Sequence, residues 1–83
     1  MSKRLFVGSL AWGTTDQTLK SHFEQAGAVE SANVIMDKMS GRSKGFGFVE
    51  MVGDADATTA IEKLNGSELD GRKIVVSEAR PKA

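Results

Sequence analysis

Eighty-three residues suit one modest hydrophobic core and leave no length for a second domain or a long enzyme scaffold. Eleven basic and eleven acidic side chains cancel, so no net field draws a polyanion, and the absence of cysteine removes disulfides, thiolate metal sites and a thiol nucleophile. With 40% hydrophobic and 27% charged residues the composition is globular, and no apolar run approaches the roughly 20 residues of a membrane span. The basic start, Met1-Ser2-Lys3-Arg4, is not followed by the apolar run of a signal peptide. A soluble protein of the cytoplasm, or of the nucleus in a eukaryote, is expected, with residues 1–83 as a single domain of core 3–79 and a short basic tail 80–83.

In chain order, residues 3–10 alternate, with Leu5 and Val7 on one side and Arg4, Phe6 and Gly8 on the other, which predicts a strand. Thr15 is placed to cap a helix whose first turn carries Asp16, whose Leu19, Phe23 and Ala26 form one stripe, and whose expected stop is Gly27. Val29 to Met36 alternates again, with Ala32 and Val34 facing one way and Asn33 and Ile35 the other. A polar connection over 37–43 leads to a third strand, Lys44 to Met51. Ala57, Ala60, Ile61 and Leu64 fall at helical spacing between a start at Gly53 or Asp54 and a stop at Asn65-Gly66. Asp70-Gly71 signals a turn before a last strand, Lys73 to Ala79, with Ile74 and Val76 inward and Lys73, Val75 and Ser77 outward.

The order strand, helix, strand, strand, helix, strand predicts an α+β fold. It is a ferredoxin-like βαββαβ sandwich with a four-stranded antiparallel sheet and two helices on one face. A conflict with ordinary burial then carries the functional reading. If Leu5, Val7, Val49 and Met51 point at the helices, strand parity turns Phe6, Phe46 and Phe48 to the open face, leaving Phe23 alone of the four phenylalanines for the core. Each exposed ring forgoes roughly 1.5–3 kcal/mol of burial, a sacrifice that a flat partner covering the rings would offset.

These residues resemble a known family. Lys44-Gly-Phe-Gly-Phe-Val-Glu-Met51 matches the ribonucleoprotein octapeptide of the RNA-recognition motif everywhere except its last position, and Leu5-Phe-Val-Gly-Ser-Leu10 is similar to the companion hexapeptide. Met51 stands where an inward aromatic is usual, and Ser9 where Asn is usual. The resemblance covers about residues 3–80, and the chain looks like the folded part of bacterial or cyanobacterial single-motif and plant glycine-rich RNA-binding proteins, without a glycine-rich tail. It implies binding of short single-stranded RNA, and less tightly single-stranded DNA, with Phe6 and Phe48 each under a base and Phe46 against a ribose or the edge between them. Lys44 is placed for a phosphate or base edge. Gly45 and Gly47 face inward, where they let the sheet sit close to the helices.

The charges are consistent with that reading. Arg42 and Lys44 border the loop between the second and third strands, Arg4 and Lys73 lie on strand faces, and Arg80 is in the tail, whereas Asp16, Glu24, Asp54, Asp56 and Glu62 fall in the helices. Asn33, Ile35, Ser77 and Glu50 complete the expected surface. Asn33, Glu50 and Ser77 would supply sequence preference, Glu50 by accepting from a base amino group. Trp12 either caps the end of the sheet or stacks on nucleic acid. His22 is the only histidine, and with no cysteine to join it no metal, cofactor or general base is expected. The expected molecule is a non-catalytic monomer with no membrane and no small-molecule substrate. The alternatives are a protein-interaction module that uses the open face for another chain, or an acyl-phosphate hydrolase of the same shape. The second needs an Arg and Asn phosphate cradle that Gly8 to Trp12 does not offer.

Overall fold

The computed structural model describes residues 3–36, 39–41 and 43–79, with residues 43 and 44 described in their backbone alone. The elements run β1 (Arg4–Gly8), α1 (Asp16–Phe23), β2 (Val29–Met36), β3 (Ser43–Met51), α2 (Asp54–Leu64), β4 (Glu68–Leu69), β5 (Arg72–Lys73) and β6 (Val75–Glu78). The four longer strands form an antiparallel sheet in the order β2-β3-β1-β6, and β4 and β5 make a separate hairpin. This is the expected ferredoxin-like arrangement. Leu5 and Val7 of β1, Val49 and Met51 of β3, and Val76 of β6 are buried with Leu19 and Phe23 of α1 and Ala57, Ala60 and Leu64 of α2. Met51 is fully buried, so the thioether fills the place of an inward ring. No described helix is long and apolar enough to cross a membrane.

Both helices begin as their sequences dictate. Thr15 accepts from the Thr18 backbone N–H, and the Thr18 side chain accepts from the Thr15 backbone N–H, a reciprocal cap that satisfies two otherwise orphaned donors. α2 starts from Gly53 without a side-chain cap and has Asp54 and Asp56 in its first turn, at the positive end of the dipole. α1 is shorter than its apolar stripe suggested and stops at Phe23. Gly27 is therefore not a left-handed helix stop. A Cβ there would lie 2.6 Å from Asp56 Oδ1, so this glycine lets the turn after α1 press against the start of α2.

Edge strands leave rows of open backbone groups, and here residues at helix ends close part of them. Asp16 Oδ1 accepts from the Val34 N–H of β2 at 2.6 Å, and Asn65 Oδ1 accepts from the Val76 N–H of β6 at 3.0 Å. Beyond Asn65, Gly66 N–H donates to Ile74 O and Ile74 N–H donates to Ser67 O. That pairing divides the expected last strand. Asp70 and Gly71 both have positive φ, 53° and 81°, and turn the chain into the β4–β5 hairpin, so Lys73 pairs with Glu68 and stands outside the main sheet. Thr14 is buried, and its hydroxyl donates to Asp70 Oδ2 at 2.8 Å, tying this hairpin to the loop after β1.

Gly47 explains how β2 closes on β3. A Cβ at this position would strike the Asn33 carbonyl oxygen and lie 3.1 Å from Val34 Cα. The close approach is thus within the sheet, to the β2 backbone, rather than to the helices. Gly45 has a different constraint, a φ of +83°. Replacing Gly47 by Ala is expected to cost about 1–3 kcal/mol, whereas Gly13→Ala, with nothing within 4 Å of the new methyl, stays within about 0.5 kcal/mol. Thermal melts of the two variants check the contrast.

His22 packs behind the sheet with Nε2 2.9 Å from Ser67 Oγ. The Ser67 hydroxyl donates its proton to Leu64 O at 2.6 Å, so its oxygen accepts from the imidazole and the Nε2 proton is retained in the neutral ring. Burial lowers the His22 pKa below its ordinary value, and the Asp70 carboxylate only partly opposes this. A lowered folded pKa means that the histidine's contribution to stability is complete above its unfolded pKa and is lost as pH falls through the folded one. The melting temperature is expected to decline between about pH 7 and pH 5, and His22→Gln, which keeps a donor to Ser67, to reduce that slope.

Candidate nucleic-acid interface

The registers assemble the open face row by row. Phe6 of β1 lies opposite Phe48 of β3, Asn33 of β2 is paired to Phe48, and Ser77 of β6 is paired to Phe6. The central row therefore reads Asn33, Phe48, Phe6, Ser77, with a polar side chain at each end of two rings. One pleat away, Phe46 is opposite Gly8 and Gly8 is opposite Val75. On the other side Ser31 is paired to Glu50 and Glu50 to Arg4. Neighbouring strands lie about 4.8 Å apart, so the rows form one continuous surface.

The three rings are half-buried, not fully exposed as parity alone predicted, because they shelter one another. Phe6 lies 5.8 Å from Phe46 with the planes tilted by 31°, and it meets Phe48 edge-on at 5.9 Å. Phe46 and Phe48 are nearly perpendicular at 6.3 Å. Such contacts contribute roughly 0.5–1.5 kcal/mol per pair beyond area. They recover part of the lost burial and hold the rings in fixed orientations.

Two neighbours set those orientations. A Cβ at Gly8 would lie 3.0 Å from Phe6 Cε2, so the missing side chain is the space over which the Phe6 ring leans. The Arg4 guanidinium sits 4.6 Å from the Phe48 ring centroid, a cation–π contact across the strands. Arg4 is thus part of the platform itself, where the sequence placed it only on the same face. Gly8 and Val75 are the members that sequence reasoning left out of the site. Their outward parity was the signal for both.

Other expected members fare differently. Asn33, Glu50 and Ser77 are exposed on the face, and Ile35 is half-buried beside them on β2. Trp12 is 69% exposed in the loop after β1, so it does not cap the sheet end. Lys73 is exposed on β5, outside the four-stranded sheet, with Cε near Gly66 at the end of α2. Arg42 and Arg80 lie outside the described residues, and of Lys44 only the place in β3 is described. Two of the acids expected on the helix side act within the fold, Asp16 on the Val34 N–H and Asp56 against Gly27. No cluster of three or more His, Cys, Asp or Glu suited to a metal occurs among the described residues. The grooves flanking α1, one by Val34 and Met36 and the other by His22 and Leu69, contain none of the rings.

The RNA recognition motif family model matches residues 5–75. The chloroplastic 29 kDa ribonucleoprotein of Arabidopsis thaliana is 53% identical over 76 residues, covering 92% of this chain and 22% of that protein. The mitochondrial glycine-rich RNA-binding protein 2 of the same plant is 48% identical, with 100% of this chain and 54% of the relative covered. The chain spans between 22% and 58% of the length of the curated relatives it matches. Among solved structures, RNA binding protein PG1 superimposes with a TM-score of 0.88 at 47% identity, covering 98% of this chain and 100% of that one. A Sex-lethal protein–RNA complex gives 0.91 at 30% identity, covering 100% and 50%. Some relatives are named chloroplastic or mitochondrial, so their names do not support the cytoplasm expected from composition.

Gly8→Ala is expected to tilt the Phe6 ring and move its aromatic proton resonances while leaving those of buried Phe23 in place. Stability should change by less than about 1 kcal/mol, because the new methyl meets the far end of a flexible side chain. A proton NMR spectrum and a melt of one sample check both parts.

Proposed function

The chain belongs to the RNA recognition motif family, and on that footing we propose that it binds short single-stranded RNA on the open sheet face, by stacking bases on its phenylalanines, without catalysis. The family and its relatives are RNA-binding proteins rather than enzymes, and so is the class to which this chain is assigned. The observation that supports the stacking mechanism best is the Phe6–Phe48 pair, two central-strand rings held side by side with polar residues on both flanks. Base–aromatic stacking contributes about 1–3 kcal/mol per base, measured by alanine truncation. Rings already fixed by one another lose little freedom when a base arrives.

In this reading Phe6 and Phe48 each carry a base, and Phe46 meets a ribose or the edge between them. Ile35 extends the apolar surface across β2, Asn33 and Ser77 offer hydrogen bonds at its ends, and Trp12 is free to stack on a strand leaving the sheet. Arg4, Arg42, Lys44 and Arg80 supply charge for phosphates, which positions the strand without reading its sequence. Lys73 has a weaker place in the site because it belongs to the hairpin. Single-stranded DNA lacks the 2′-hydroxyl and binds less tightly. Two or three stacked bases, less the cost of ordering them, suggest affinity on the order of micromolar for a monomeric module. Residues 3–79 form the folded domain, with 80–83 as its tail.

Fluorescence-anisotropy titration with labelled oligoribonucleotides tests this. Phe48→Ala and Phe6→Ala are each expected to weaken binding by about 5- to 150-fold, with far-UV circular dichroism unchanged. Unaltered affinity in both variants would point to a protein-interaction module, and with it a different partner for the rings.

A further inference from the structure

Glu50 is the member of this face that stacking and phosphate steering do not explain. It is exposed, directly opposite Arg4 in the register and one pleat from Phe48 on the same strand. A carboxylate so placed repels a phosphate chain, and an exposed charge opposite another on a neighbouring strand adds little to the stability of a fold. What it offers a stacked base is two adjacent acceptor oxygens and no donor.

Only one of the RNA bases presents two adjacent donors on its Watson–Crick edge. Guanine has N1–H beside the N2 amino group, whereas adenine and cytosine each set one donor beside a ring-nitrogen acceptor, and uracil holds a single N3–H between carbonyls. Arg4 adds the complementary half. Its guanidinium lies over the Phe48 ring, 4.6 Å from the centroid, so a base that takes that face displaces it to the base edge, where its forked donors find the guanine O6 and N7 as matching acceptors. The donor fork and the acceptor pair sit on adjacent strands about 5 Å apart, as the adjoining edges of one purine require. We infer that the base stacked on Phe48 is guanine, read by Glu50 through N1–H and N2–H and by Arg4 through O6 and N7.

The inference rests on the stacking reading and is tested so that the two can fail separately. Oligouridine nonamers with a single central guanosine, inosine, adenosine or cytidine are titrated against the wild-type chain, Glu50→Gln and Phe48→Ala. The guanosine oligomer is expected to bind about tenfold more tightly than the adenosine one, with inosine, which lacks the N2 donor, in between. Glu50→Gln replaces one acceptor by a donor, so it should lose that preference and gain on adenosine. Phe48→Ala should weaken every oligomer. Equal binding of guanosine, inosine and adenosine, or a guanosine preference that survives Glu50→Gln, overturns the Glu50 assignment while leaving stacking intact if Phe48→Ala still weakens all four. If Phe48→Ala weakens none of them, stacking fails and the guanine inference fails with it.

Discussion

Strand parity governs this molecule. In β1 and β3 successive side chains must point to opposite sheet faces, so once Leu5, Val7, Val49 and Met51 are drawn under the helices, Phe6, Phe46 and Phe48 have nowhere to go but the other side. The register then brings the rings together. Had β3 slipped by one residue against β1, its rings would have entered the core and its aliphatic residues would have faced water, so the buried layer specifies the site as firmly as it specifies the fold.

The rest of the structure keeps that surface fixed. Helix ends serve the sheet as well as themselves: Asp16 opens α1 and accepts from the edge of β2, and Asn65 closes α2 and accepts from the edge of β6. The hairpin is joined to the loop after β1 through Thr14 and Asp70. Gly47 admits the β2 backbone, and Gly8 admits the Phe6 ring. For the proposed function this matters because a surface held in place before binding leaves more of the interaction energy as affinity.

The element order, the inward layer and the outward rings were legible because each follows from a period of two or 3.6 within a single segment. What escaped depends on partners distant in sequence. The role of Gly47 requires knowing that Asn33 and Val34 lie alongside it, and that of Gly8 requires the lean of the Phe6 ring. Arg4 reads as a charge on a strand, yet the register brings its guanidinium to 4.6 Å from the Phe48 ring centroid. The apolar pattern of 74–76 looked continuous with Lys73, but Ile74 spends its backbone groups on Gly66 and Ser67, and the primed turn at Asp70-Gly71 takes Lys73 into a hairpin. α1 ends at Phe23, short of Gly27, and that glycine sits against Asp56 instead of serving as a cap. Nor could the mutual shelter of the rings be read from a linear pattern.

The most direct measurement is a backbone and aromatic NMR titration with pooled short single-stranded RNAs, which reports every surface at once. Shift changes concentrated on Phe6, Phe46 and Phe48, with Asn33, Glu50, Val75 and Ser77 around them and the exposed sides of α1 and α2 silent, are the predicted outcome. Changes clustered on the helices, with the three rings unmoved at saturation, would contradict the assignment of the open sheet face as the binding surface.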